Sequence, residues 1–297
     1  MSLYVPLFRL FEIRMTRHQA GLAEFPNPRE FDGSLSCSVR SAVVAKRGYD
    51  AVHCSLLRLD KYSMPVTAAA TTKHLLTNNG PINVSGLTEL KEAHDSGTAV
   101  IVIESHIGVW HLLGAHLRAS GIRVAGFSIA PARRMTALRS FGDAIGDTGE
   151  KSYFLDIPVP SPRAGLEALA AMRSGYVLLW NSAALPGMQA AKRVNVRYLG
   201  MDVPVSPTIA RLAKQTEARL FLAVSRVTDW RTLDVQLEYR VVDDIDLGDV
   251  GLAMQGIYSA IEPIVLDNID QWFPWRVYRE AFLPLHVLRD GRPKLGP

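Results

Sequence analysis

The stretch Gly97-Thr98-Ala99-Val100-Ile101-Val102-Ile103-Glu104-Ser105-His106-Ile107-Gly108-Val109-Trp110-His111 sets an apolar run directly against a polar one. Ala99 to Ile103 is short, apolar and β-branched, the composition of a strand covered on both faces. Ile107 to Ser120 reads as the helix that follows, with Gly121 at its C-terminal cap. Arg123 to Ser128 then reads as a second strand, so the unit is strand, helix, strand, the seed of a parallel sheet.

The same alternation continues downstream. Met135 to Ile145 reads as a helix, and Ser161 to Met172 as another with Pro162 early in its first turn. Tyr176 to Trp180 is a second buried strand, Pro207 to Thr216 a helix, Arg219 to Val227 and Leu233 to Arg240 further strands, and Val250 to Asn268 a closing helix. Pro158-Val159-Pro160-Ser161-Pro162 reads as a stiff surface loop. The expected class is α/β, a mixed, largely parallel sheet flanked by helices. Upstream, Val43, Val44, Val52, Leu56, Leu57 and Leu75 recur at helical spacing, which predicts an N-terminal helical cap over residues 1–80 before an α/β core over 81–297. Asn78-Asn79-Gly80-Pro81 would be the turn between them, and no linker divides the chain into separate domains.

Composition bounds the function. The 297 residues are 48% apolar and 21% charged, which excludes a disordered or fibrous chain. The net charge of +4 comes from scattered basic residues, without the dense stripe of a nucleic-acid binder. Cys37 and Cys54 lack CxxC spacing and read as buried thiols of a reducing compartment. The N-terminus has no signal-peptide pattern, and no run of about 20 apolar residues predicts a spanning helix. The expected location is cytoplasmic. Peripheral contact with the inner membrane would fall to a surface such as Tyr4, Val5, Leu7, Phe8, Leu10 and Phe11, which otherwise packs as a helix on the core.

Chemistry is expected at the end of the first buried strand, because open α/β sheets hold their ligands at the carboxyl ends of strands. If the chain stays extended there, Glu104 and His106 share a side and can meet. His106 and His111 are five residues apart, about 140° around a helix, so they approach only if His106 lies in the loop and His111 in the first turn. That spacing, repeated by His111 and His116, argues against a metal site.

Residues 97–114 resemble the His-x4-Asp/Glu block of the bacterial lipid A biosynthesis acyltransferase family, within the lysophospholipid acyltransferase-like superfamily, with His106, Gly108 and Trp110 in register. Four further blocks keep the family's order: Val84 to Leu90, Arg173 to Asn181, Val194 to Pro207, and Gln271-Trp272-Phe273-Pro274-Trp275-Arg276, which resembles a terminal Gln-Trp-x-Trp signature. Two acidic positions of the family pattern differ, His111 standing at one and Asn181 at the other.

The resemblance implies acyl transfer from a thioester, on acyl-carrier protein or acyl-CoA, to a hydroxyl or amine, with no other cofactor. His106 would be the general base. His111 can supply a hydrogen bond but no negative charge, so Glu104 is the candidate for a displaced carboxylate; its alternative is an acid paired to an arginine. Asn181 would position the acceptor or the oxyanion, or else cap the strand end. Trp110 walls an acyl pocket or packs in the core. Arg139, Lys192 and Arg193, with Arg133 and Arg134, are candidates for the donor's phosphates, each with a solvated surface charge as its alternative. A small-molecule or carrier-bound acceptor, as in natural-product biosynthesis, fits the lack of an anchor helix. The competing expectations are a catalytically degraded fold that binds lipid or protein, and a thioester hydrolase; no Gly-x-Ser-x-Gly elbow occurs.

Overall fold

A computed structural model describes residues 82–128, 154–182, 193–199, 201–229, 234–268 and 271–272. The elements in chain order are β1 (Ile82–Ser85), α1 (Leu87–Asp95), β2 (Val100–Glu104), α2 (His111–Ala119), β3 (Val124–Ser128), β4 (Phe154–Pro158), α3 (Ala164–Arg173), β5 (Val177–Asn181), β6 (Val194–Tyr198), β7 (Met201–Val205), α4 (Thr208–Thr216), β8 (Arg219–Asp229), β9 (Asp234–Val242) and α5 (Val250–Asp267). The expected helical cap over 1–80, the turn at 78–81, the apolar cluster from Tyr4 to Phe11, both cysteines and the helix Met135–Ile145 lie outside the described residues.

Seven strands form one sheet in the order β1-β9-β8-β2-β5-β3-β4. β8, β2, β5, β3 and β4 run parallel, while β9 reverses against β8 and carries β1 with it. The class is therefore α/β with a mixed, mostly parallel sheet, as expected. β2 is central, and all five of its residues are buried. Its side chains point alternately into two cores: Val100 and Val102 pack with Leu90, Leu112, Leu113 and Leu117 from α1 and α2, whereas Ile101 and Ile103 pack with residues of α3, α4 and α5. A strand covered on both faces has no polar side to present, which is why its sequence is continuously apolar.

Four elements escaped the sequence reading. β4 falls in Phe154–Pro158, where Leu155 and Asp156 are exposed and no alternation marks a strand. The β6–β7 pair forms an antiparallel hairpin beside the main sheet, with Val196, Tyr198, Val203 and Val205 turned into the core shared with α5. α1 follows Gly86 at once and buries only Leu90 and Ala93. Pro162 lies ahead of α3, not within its first turn.

The largest correction concerns α2. Its expected start at Ile107 moves to His111, because Gly108 takes a left-handed φ of +56°, which a right-handed helix cannot include. Gly108 N–H donates to Gln271 O at 2.9 Å and Val109 N–H to Ser225 O at 3.1 Å. The left-handed residues His106 and Gly108 break the helical path, and these outward bonds hold residues 105–110 as a strand-to-helix loop. Among the described residues no helix is long and apolar enough to cross a membrane.

Candidate active site

From β2 the chain leaves through α2 toward β3, on one side; from β5 it leaves through the β6–β7 hairpin and α4 toward β8, on the other. Adjacent parallel strands whose connections diverge leave a crevice at their carboxyl ends. Glu104 ends β2 and Asn181 ends β5, and the parallel register pairs these two residues, which puts their side chains on the same face.

His106 joins them by an unexpected route. The chain does not stay extended past Glu104; His106 adopts a left-handed conformation, φ +51°. A β-carbon in that region meets the following carbonyl, at a cost of roughly 1–2 kcal/mol, and residues held so are concentrated at functional sites. The turn brings His106 Nε2 to 3.7 Å from Glu104 Oε1, and His106 N–H donates to Glu104 Oε2 at 3.1 Å. The Asn181 amide bridges the two, with its Nδ2 against both Glu104 Oε1 and His106 Nε2. Among the described residues Glu104 is thus held by an amide and a histidine, with no arginine at its carboxyl. Trp110 stands edge-on to the imidazole, ring centroids 4.9 Å apart, and so limits its rotation.

Glu104 is 5% exposed, and burial pushes its carboxyl from the ordinary 4.5 to about 8, against the opposing pull of the His106 N–H and the Asn181 amide. Burial dominates because a carboxylate loses more hydration there than two hydrogen bonds return. This has a consequence for stability. Below pH 4.5 folded and unfolded chains both hold the proton; between 4.5 and about 8 only the folded chain does, so stability falls as pH rises through that window. At about 1.4 kcal/mol per pH unit the whole decline is worth up to ~5 kcal/mol. Glu104→Gln, neutral at every pH, should remove this decline, at the cost of one of the two bonds the carboxyl accepts. Denaturant titrations from pH 5 to 9 check it, and an unchanged decline in the variant would refute it.

Beneath the crevice lies a hydroxyl network that sequence reasoning missed. Ser105 Oγ and Ser182 Oγ are 2.9 Å apart, Ser182 Oγ donates to Glu104 O at 2.9 Å, and Tyr258 Oη donates to Ser182 O at 3.0 Å. Both serines are buried, so these bonds tie the ends of β2 and β5 to α5. The only advance signal was polarity at the end of apolar strands.

Gly108 packs its backbone against β8, with φ +56°. His111 is the first residue of α2, which puts it in the turn after the loop that carries His106. Arg193 is exposed and precedes β6, while Arg133, Arg134, Arg139 and Lys192 lie outside the described residues. Among the described residues no three His, Cys, Asp or Glu side chains gather as a metal-holding group. Gln271 and Trp272 do reach the site loop: Trp272 pairs with Ile107 as an antiparallel bridge, and both side chains are buried. Phe273 to Arg276 lie outside the described residues. The chain matches no protein-family model and no curated protein.

Proposed function

We propose that this chain is an acyltransferase of the lysophospholipid acyltransferase-like type, moving an acyl group from an acyl-CoA or acyl-carrier-protein thioester to a hydroxyl or amine of a small-molecule or carrier-bound acceptor. The observation that carries the reading is the Glu104–Asn181–His106 cluster at the carboxyl ends of two adjacent parallel strands. The order of the five sequence blocks supports it. On this reading the protein works in the cytoplasm, where such thioesters are made.

His106 takes the acceptor's proton as the acceptor oxygen or nitrogen attacks the thioester carbonyl. The tetrahedral intermediate then collapses, the carbon–sulfur bond breaks, and the imidazolium returns its proton to the departing thiolate. In the resting site the Asn181 amide occupies Nε2, so the acceptor displaces it there to reach the base; Trp110 limits the ring's rotation, and Glu104 supplies the carboxylate that the family pattern would place at residue 111. As a carboxylate 3.7 Å from Nε2, Glu104 stabilises the imidazolium; as a neutral acid it cannot.

The pH dependence tests this assignment. Glu104 loses its proton near 8, so kcat/KM for thioester consumption should rise with pH and level off above about 8. In Glu104→Gln that step should vanish, and at pH 8.5 the variant should be slower by roughly 10²-fold. The assay is intact-mass detection of acylated product and free thiol, with acyl-CoA and acyl-carrier-protein donors against alcohol and amine acceptors. Thioester loss without acylated product would reassign the site to hydrolysis. Equal inertness of wild type and variant across that panel would favour a binding role for the fold.

A further inference from the structure

We propose that Gln271 is a positioning residue for His106, acting through the backbone of Gly108. β8 outruns β2: its pairing with β2 ends at Ala223, but the strand continues to Asp229. Past that point the edge of β8 that faced β2 needs other partners for its backbone groups. The loop from Ile107 to Val109 and the segment Gln271-Trp272 take the place that a longer β2 would have filled.

The carboxamide of Gln271 does the work of a strand. Its Oε1 accepts from Val227 N–H at 2.8 Å and its Nε2 donates to Val227 O at 2.9 Å, so both ends are engaged and a rotated amide would lose both bonds. Gln271 O then accepts from Gly108 N–H at 2.9 Å, and Trp272 pairs with Ile107. On the other side Val109 is held twice by Ser225, through its N–H at 3.1 Å and its carbonyl at 3.0 Å. The residues that follow His106 are thereby clamped between β8 and a segment 163 positions further along the chain than Gly108. His106 itself is in a strained backbone state that its own preferences do not favour. The clamp is what holds the loop in the geometry that brings the imidazole to Glu104 and Asn181. Gln271 is 8% exposed, and its N–H donates to Asn268 O at 2.9 Å, which ties the anchor to the end of α5.

This inference takes His106 to be the base of the proposed reaction, but its primary test does not require turnover. Imidazole signals of the full chain, labelled with ¹⁵N at histidine, are titrated in wild type, Gln271→Ala and Gln271→Glu, with His106 assigned by its loss in His106→Asn. Gln271→Glu keeps the acceptor for Val227 N–H and, while its carboxyl is protonated, a donor for Val227 O, so in that form it preserves the fold if alanine does not. The expected result is a His106 midpoint moved by about half a pH unit or more, a sizeable part of the usual spread for histidine, with His94 unmoved. His106 titrating as in wild type in a folded variant would overturn the proposal. In the acyl-transfer assay, the same variants should lose about 10²-fold in kcat with KM for the donor unchanged, the signature of a displaced base. An inert wild type with a shifted His106 midpoint would defeat the acyltransferase reading and leave the clamp standing.

Discussion

Replacing His106 by alanine should lower acyl transfer by about 10³-fold or more while donor binding stays within roughly twofold, because the general base acts in the transition state and not on the bound thioester. The substitution leaves the neighbours in place: Glu104 keeps its bond from Asn181, and Ser105 and Ser182 keep theirs. Backbone strain complicates the comparison, since the residue at position 106 sits at φ +51°. His106→Asn removes that complication, for asparagine tolerates the left-handed region and offers a short polar side chain without a basic nitrogen. Both variants should therefore be inactive and fold normally. Donor binding measured by calorimetry and product measured by intact mass separate the outcomes. Turnover in either variant within tenfold of wild type would remove His106 from the mechanism, and loss of donor binding in parallel with turnover would make it a binding residue.

The second large effect is on stability, at Gly108. A β-carbon built there would lie 2.1 Å from Ser225 O and 3.0 Å from Gln271 Oε1. The first contact is with the backbone of β8, a strand near the middle of the sheet, which cannot shift without disturbing its pairing with β2 and β9. Gly108→Ala should cost about 3–5 kcal/mol, part from the left-handed backbone and part from overpacking, and lower the melting midpoint by roughly 6–15 °C. Gly97→Ala is the control that separates the two contributions. Gly97 has φ +82°, but a β-carbon there meets nothing within 4 Å, so only the backbone contribution of about 1 kcal/mol remains. Equal losses in the two variants would show that the contact with β8 is relieved at no cost. Because Gly108 N–H is the point where Gln271 holds the loop, the alanine variant should also lose activity beyond its loss of stability.

The carboxyl of Glu104 links these effects to a compromise in the fold. Burial keeps it neutral at low pH, where its contribution to stability is greatest; the proposed chemistry needs it charged, where that contribution is lost. An acid in that position weakens the folded state across the pH range in which it would work, a pattern common to catalytic groups.

Local chemistry was enough to read the frame. Val100 to Ile103 and Val177 to Leu179 announce buried strands because a layer on each face leaves no room for polar side chains. Asp249, whose side chain accepts from Gly251 N–H and Leu252 N–H, starts α5 where the apolar period begins. β4 was hidden because an edge strand with exposed Leu155 and Asp156 carries no burial pattern to read. The hairpin was hidden behind Pro204, although proline is tolerated on an exposed position of a two-stranded ribbon.

The site divides in the same way. That a carboxylate and a histidine stand two residues apart at the end of a buried strand is written in the order of residues, and so is the nearby glycine. That they meet through a left-handed turn, with α2 delayed to His111 by the positive φ of Gly108, depends on Gln271 and Ser225 holding the loop by its Gly108 and Val109 amides. Asn181 joins them only because β5 pairs with β2 in parallel and in that register, although 77 residues separate it from Glu104. Periodicity reports which faces of an element meet water and which meet the core. Register and loop closure are set by competition among distant backbone groups for a limited number of partners, and that competition is resolved only when the whole sheet assembles.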